Sequence, residues 1–268
     1  MIRRPLKGDL LLVPQPAHAA LSGVLAGQWG NRDFAPPEPR ASVLLAAAEH
    51  DGGWAEWEAE PGLNASGKPG HFTEMDVEEH LRIWRRGVAR MVGRDPYAAL
   101  LVSLHGAGLY RGGLDGEQDT PEARRQVEAF LSEQADLQRQ IRRSLRGVPV
   151  YGEAVEETTL AHNARLIQVW DYLSLLLCCG HPEAQVIGAA PGRAAGERAD
   201  LALHPRDEFT LRLKPYPFRE SPLSLSVKGR VVRRGPFADR EAFLDAFRQA
   251  PEETLTFKIE RGSAWSGR

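Results

Sequence analysis

Five of the eight histidines fall within the first 105 residues, and four of those sit in apolar stretches that read as helices. His18 shares a helical face with Leu21 and Leu25. His50 closes an Ala-rich helix on the side of Val43, Ala46 and Ala47. His80 lies in line with Val77, Trp84, Gly87 and Val88, and His105 is flanked by Leu101, Val102 and Leu109. A lone histidine on an apolar face is most often a hydrogen-bonded core residue, so no single one of these is informative. The carboxylates change the balance. Asp51 follows His50 directly, and Asp171 sits between Ile167 and Leu175 one turn to either side. Burying an unpaired carboxylate costs several kcal/mol, yet these helices offer no Lys or Arg on the same face. A divalent metal held by the histidines satisfies all of them together.

The elements that must position these groups are mainly helical. Apolar spacing predicts helices over Ala17 to Trp29 and Arg40 to His50. Thr73 with Asp76 has the form of a capping box and opens a helix running to Val92. Asp95 followed by Pro96 starts another, through Tyr110. Two more follow, Pro121 to Leu145 and Glu153 to Cys179. After Pro205 the pattern alternates, in Phe209 to Tyr216, Leu223 to Val227 and Leu255 to Ile259, with an amphipathic helix from Asp239 to Ala250. The expected architecture is mainly α: a helical domain over 1–204 and a small antiparallel β-β-α-β appendage over 205–268, joined by Val186 to Asp200.

A histidine on an early helix, a His-Asp pair ending the next, and a late helical Asp resemble the HD-domain metalloenzyme superfamily of metal-dependent phosphohydrolases. The positions matching its motif are His18, His50, Asp51 and Asp171; His80 and His105 match the extra histidines of its dinuclear members. The segments QPAHAALSG, AAAEHDGGWAEW, EEHLRIWRRG, PYAALLVSLHGAGLY and WDYLSLLLC also resemble an uncharacterised bacterial family placed in that superfamily. The resemblance implies an HD-type helical bundle and two divalent ions. One would be held by His18, His50, Asp51 and Asp171, the other by His80 and His105, with Asp51 bridging. Asp51, His80 and His105 would then carry the catalytic roles. Histidine and carboxylate ligands suit Fe, Mn or Zn better than Mg.

Trp54 stands where many HD phosphohydrolases carry a lysine, three residues after the Asp. Lys68, Arg82, Arg85 and Arg86 are the candidate substitutes for that phosphate-contacting cation. The turn-rich loop from Glu60 to His71 is a candidate lid, which brings His71 toward substrate. Gln168, one turn before Asp171, is a candidate donor to that carboxylate. His162 falls on the opposite helix face, Trp54, Trp57 and Trp84 read as the wall of the site, and His181 and His204 have no role.

Three functions follow in order. The first is hydrolysis of a small phosphoester or nucleotide. The second is a di-iron oxygenase cleaving a C–C or C–P bond, which uses the same six ligands. The third is a non-enzymatic, metal-stabilised binding module. The 268 residues carry a formal net charge of −2, which gives no general case for nucleic acid or membrane partners. A small-molecule substrate is the expected partner, and oligomeric state leaves no mark in the sequence. Cys178 and Cys179 are adjacent and exclude a disulfide scaffold. With no apolar run long enough for a span, the expected location is the cytoplasm.

Overall fold

The structure, a computed structural model, describes residues 1–114, 118–180, 183–194 and 196–262. Of the positions named above, His181 lies outside the described residues. The helices are α1 (Gln15–Gln28), α2 (Arg40–Glu49), the short α3 (Ala55–Ala59), α4 (Val77–Val92), α5 (Pro96–Tyr110), α6 (Pro121–Leu145), α7 (Glu157–Cys179) and α8 (Arg240–Gln249). Their starts follow side-chain chemistry. Asp76 accepts from the backbone N–H groups of Glu78 and Glu79, Asp95 from those of Tyr97 and Ala98, and Thr120 from that of Ala123. The capping box lies upstream of the expected one: His71 and Glu74 form it, around a 3-10 turn at Phe72–Glu74. α7 ends at Gly180, whose φ of 82° a side chain would resist. α5 carries apolar or small residues on every face, and most of it is buried between α2, α4, α6 and α7.

The expectation of a mainly helical protein with a small β appendage is overturned. The described residues are 49% helical and form a seven-stranded mixed sheet curled into a half-barrel, an α/β fold. The strands are β1 (Ile2–Leu6), β2 (Asp9–Val13), β3 (Gln185–Pro191), β4 (Arg198–Asp207), β5 (Thr210–Lys214), β6 (Leu223–Val232) and β7 (Glu252–Arg261). Their order across the sheet is β1-β2-β6-β7-β5-β4-β3, all neighbours antiparallel except β5 and β7. The N-terminal strands thus join a sheet otherwise built from the last third of the chain. The division expected after residue 204 falls inside β4, and the expected connector contains β3.

Alternation explains which face meets the helices. Leu223, Leu225 and Val227 on β6, and Leu255, Phe257 and Ile259 on β7, point into the main core, while Ser224, Ser226, Thr256 and Lys258 face out. Trp29, at the end of α1, joins the layers. It packs edge-on against Trp170 of α7 and Phe218 in the segment between β5 and β6, with centroids 5.8 and 5.7 Å apart. α8 covers a second, smaller core with Met1, Leu12 and Val232. Among the described residues, no helix is long and apolar enough to cross a membrane.

Candidate metal centre

Four elements converge on one buried point. His18 projects from α1, His105 from α5 and Asp171 from α7. His50 caps the C-terminus of α2, and Asp51 leads into a 3-10 turn at Gly52–Trp54. His18, His50, Asp51 and His105 are buried, and Asp171 is nearly so, its side chain 14% exposed. His18 Nε2 is 2.7 Å from Asp51 Oδ2; His50 Nε2 is 3.2 Å from Asp171 Oδ1 and 3.7 Å from Asp51 Oδ2; His105 Nε2 is 3.6 Å from Asp171 Oδ2. Two overlapping triads of ligand atoms result, His18/His50/Asp51 and His50/His105/Asp171, each with its atoms within 4.8 Å of one another. They share His50.

The surroundings orient these rings. His50 Nδ1–H donates to the Ala47 carbonyl at 2.9 Å, which leaves Nε2 facing the carboxylates. His18 Nδ1 is 2.9 Å from Ser174 Oγ, and Ser174 Oγ is 2.8 Å from Ser22 Oγ. These are the fixings a ligating imidazole needs at its far nitrogen. His105 differs, because its buried Nδ1 has no hydrogen-bond partner among the described residues.

The electrostatics fit a cation. Burial works against ionising Asp51 and Asp171, but the facing histidines hold both carboxyls below the usual carboxylate range. Burial also opposes a charge on His50, yet Asp51 and Asp171 outweigh it and raise its pKa to about 9. His105 is pushed down to about 4 by burial, against the pull of Asp171, so it stands neutral with a lone pair to give. Among the described residues, neither carboxylate pairs with a Lys or Arg. Three imidazoles, two ionised carboxylates and an orphaned buried ring nitrogen suit a divalent transition metal.

His80 stands outside both triads. Trp84 Nε1–H donates to its Nε2 at 3.1 Å, so the ring proton sits on Nδ1 and is donated to the Tyr110 hydroxyl at 2.6 Å. Neither nitrogen keeps a free lone pair for a metal. Burial lowers its pKa to about 4, opposed by Asp51. The walls are the expected ones in part: Trp84 meets His105 edge-on at 5.6 Å and Trp54 lies 5.4 Å from His80, while Trp57 packs behind Trp54.

Three of the four candidate cations are spent elsewhere. Arg86 pairs with Glu56 at 2.9 Å, Arg85 with Glu133 at 2.7 Å, and Arg82 with Glu78 and Glu79; Lys68 is exposed. The loop from Glu60 to His71 is strapped to the sheet side, with Gly67 O accepting from Phe237 N and Pro69 O from Arg3. Gln168 Oε1 accepts from Arg165 rather than serving Asp171. The supporting contacts go instead to His18, from Ser174 with Ser22 behind it, and reasoning from sequence passed over both serines. Their signal was present: each lies one turn after a ligand, three residues past Asp171 and four past His18. Tyr110 had no comparable signal.

His71 gives a pH prediction away from the cluster. Its Nδ1 accepts from Thr73 to cap the 3-10 turn, which needs the neutral ring. Burial, with Arg3 and the chain's first amino group nearby, lowers its pKa from 6.5 to about 4. The folded state therefore binds fewer protons, and the stability His71 contributes is present above pH 6.5 and lost as pH falls through about 4. The side chain is partly exposed, so the loss is discounted to about 1 kcal/mol. In urea melts at pH 7 and near pH 4, His71→Asn, which keeps a capping acceptor without the titration, is expected to lose less stability than wild type. Equal losses would remove His71 from the pH response.

The fold and the cluster define an α/β protein with a buried His/Asp centre. The chain belongs to the family described as Protein of unknown function (DUF3891), whose model matches residues 1–234, a span containing all five clustered residues. No curated protein and no solved structure matches it.

Proposed function

We propose that the protein is a metal-dependent hydrolase of a small phosphoester or nucleotide, working in the manner of HD-domain enzymes. The observation that carries this reading is the convergence of two ionised carboxylates and three imidazoles, with no Lys or Arg paired to them among the described residues. His18, His50, Asp51, His105 and Asp171 are the residues that would hold the ion, of Fe, Mn or Zn type. A divalent ion bound there supplies Lewis acidity toward a phosphoryl oxygen and an activated water. The protein's part is orientation and exclusion of bulk water. Ser174 and the Ala47 carbonyl fix the rings of His18 and His50, and Trp54 and Trp84 close the side toward α4.

One ion is favoured over two, because Trp84 and Tyr110 engage both nitrogens of His80. That also ranks hydrolysis above the di-iron oxygenase, which needs the second ion. A cytoplasmic location accords with the two free cysteines. The test is phosphate release from a panel of nucleotides and aryl phosphates by protein reconstituted with Mn, Fe or Zn. Release is expected to depend on metal, and Asp171→Asn is expected to lower kcat at least about 100-fold. Oxygen uptake with reduced iron and no phosphate release would overturn the hydrolase reading in favour of oxidation.

A further inference from the structure

A cleft of about 440 Å³ lies between α5, α6 and α7, lined by no residue of the metal centre. Its floor is apolar, with Leu100 and Leu104 from α5 and Leu160 from α7. Its charged lining is lopsided for a chain of net charge −2: Arg111, Arg139, Arg142 and Arg165 stand against the single carboxylate Glu157. Arg142 is neutralised by Glu157 at 3.0 Å, and Arg139 pairs with Asp136 on its own helix. Among the described residues, Arg165 meets only neutral acceptors, Gln168 Oε1 and the carbonyls of Gly188 and Ala189. Burial and the neighbouring Arg198 both push its pKa down, as expected for a guanidinium short of anions. The side chain of Arg111 has no ion-pair partner among the described residues.

We infer that this cleft binds an organic oxyanion, its phosphate or carboxylate head held by the arginine rim and its apolar body lying on the leucine floor. The volume falls within the usual range of small-molecule sites, roughly 300–1,000 Å³. Guanidinium forks match the paired oxygens of such heads. The rim is partly exposed, so charge alone binds weakly through water, and the floor supplies the remaining affinity. Gln168, at one end, is a single turn before Asp171, so the cleft borders the metal centre without sharing a ligand. The inference goes beyond the metal reading and does not depend on it.

The test is calorimetric titration of the full chain with phenyl phosphate and with benzoate, each with and without chelator, and metal content measured on the same samples. At least one probe is expected to bind at submillimolar concentration whether or not chelator is present. Inorganic phosphate, lacking the apolar body, is expected to bind at least about tenfold more weakly. Arg111→Glu with Arg139→Glu, two exposed positions, is expected to weaken binding at least about tenfold. Ala161→Trp, which fills the cleft without changing charge, should do the same. None of these variants should alter metal content or far-UV circular dichroism. Absence of binding in the millimolar range, binding indifferent to both variants, or binding lost on chelation would overturn the inference. The metal analysis reports separately on the centre.

Discussion

Protein purified without added metal or chelator is expected to carry one transition-metal ion per chain, and Asp51→Ala to carry less than about a tenth of that. His80→Ala should keep its metal. The argument is one of charge and lone pairs. Asp51 and Asp171 are both held ionised in a buried cluster. His50, raised to about 9, supplies at most one positive charge to two carboxylates, whereas a divalent ion offsets both. Asp51 contributes one of those charges and faces His18 and His50, so its loss removes charge and geometry together. His80 contributes neither, because both its nitrogens are occupied. Elemental analysis of the three proteins decides the matter. Two ions in wild type, falling to one in His80→Ala, would mean that the Trp84 and Tyr110 bonds give way to a second site. Absence of metal from wild type would overturn the centre and leave the facing histidines as the internal counter-charge.

How far the sequence foretold this molecule differs by element. α5, α6 and α8 start within a residue of the expected positions, because Asp95, Thr120 and Asp239 act locally, whereas α4 starts at Val77 under an Asp76 cap rather than directly after Thr73. The sheet was half hidden for two reasons. Its pairings are remote, Leu11 opposite Val231 for example, and its outer strands break the alternating pattern. β1 turns Arg4 inward, where it donates to the Leu177 carbonyl at 2.7 Å and lies over Phe209 and Phe257. The turn after it places both Lys7 and Gly8 at positive φ, a hairpin geometry that Lys-Gly signals weakly. β3 carries a bulge between Ile187 and Ala190, in a stretch whose Gly and Ala residues read as connector.

At the site, residue type on an apolar helical face was enough to find the five residues that converge. A buried carboxylate without a cation on its own helix must draw its counter-charge from another element or from a bound ion. His80 showed the limit of that reasoning. Its face is apolar too, but a tryptophan one turn on and a tyrosine from the next helix claim its nitrogens. Helical periodicity states that a side chain is inward; it does not state which polar atoms wait there.

Gly53→Ala is expected to destabilise the fold by about 3 kcal/mol and to take the metal with it. Asp51 and the turn after it reach the cluster only because that turn lies against the backbone of α4. A Cβ at residue 53 would stand 2.2 Å from the Ile83 carbonyl oxygen and 3.0 Å from Gly87 N. Both are backbone atoms inside a helix, so relief must come from the turn itself, and moving the turn moves Asp51. At Gly87 the added methyl would meet Gly53 N at 3.2 Å, a few tenths of an ångström from ordinary contact. Gly87→Ala is therefore expected to cost only about 1 kcal/mol, in part offset by alanine's better helix propensity. Gly27, in α1, has nothing within 4 Å of its would-be Cβ, and Gly27→Ala should stabilise by about 0.5 kcal/mol. Urea melts of the three variants, each paired with metal analysis, separate the two halves of the prediction. If Gly53→Ala proved unstable yet fully metal-loaded, Asp51 would not depend on this contact. If it were stable, the close approach of the turn to α4 would itself be wrong.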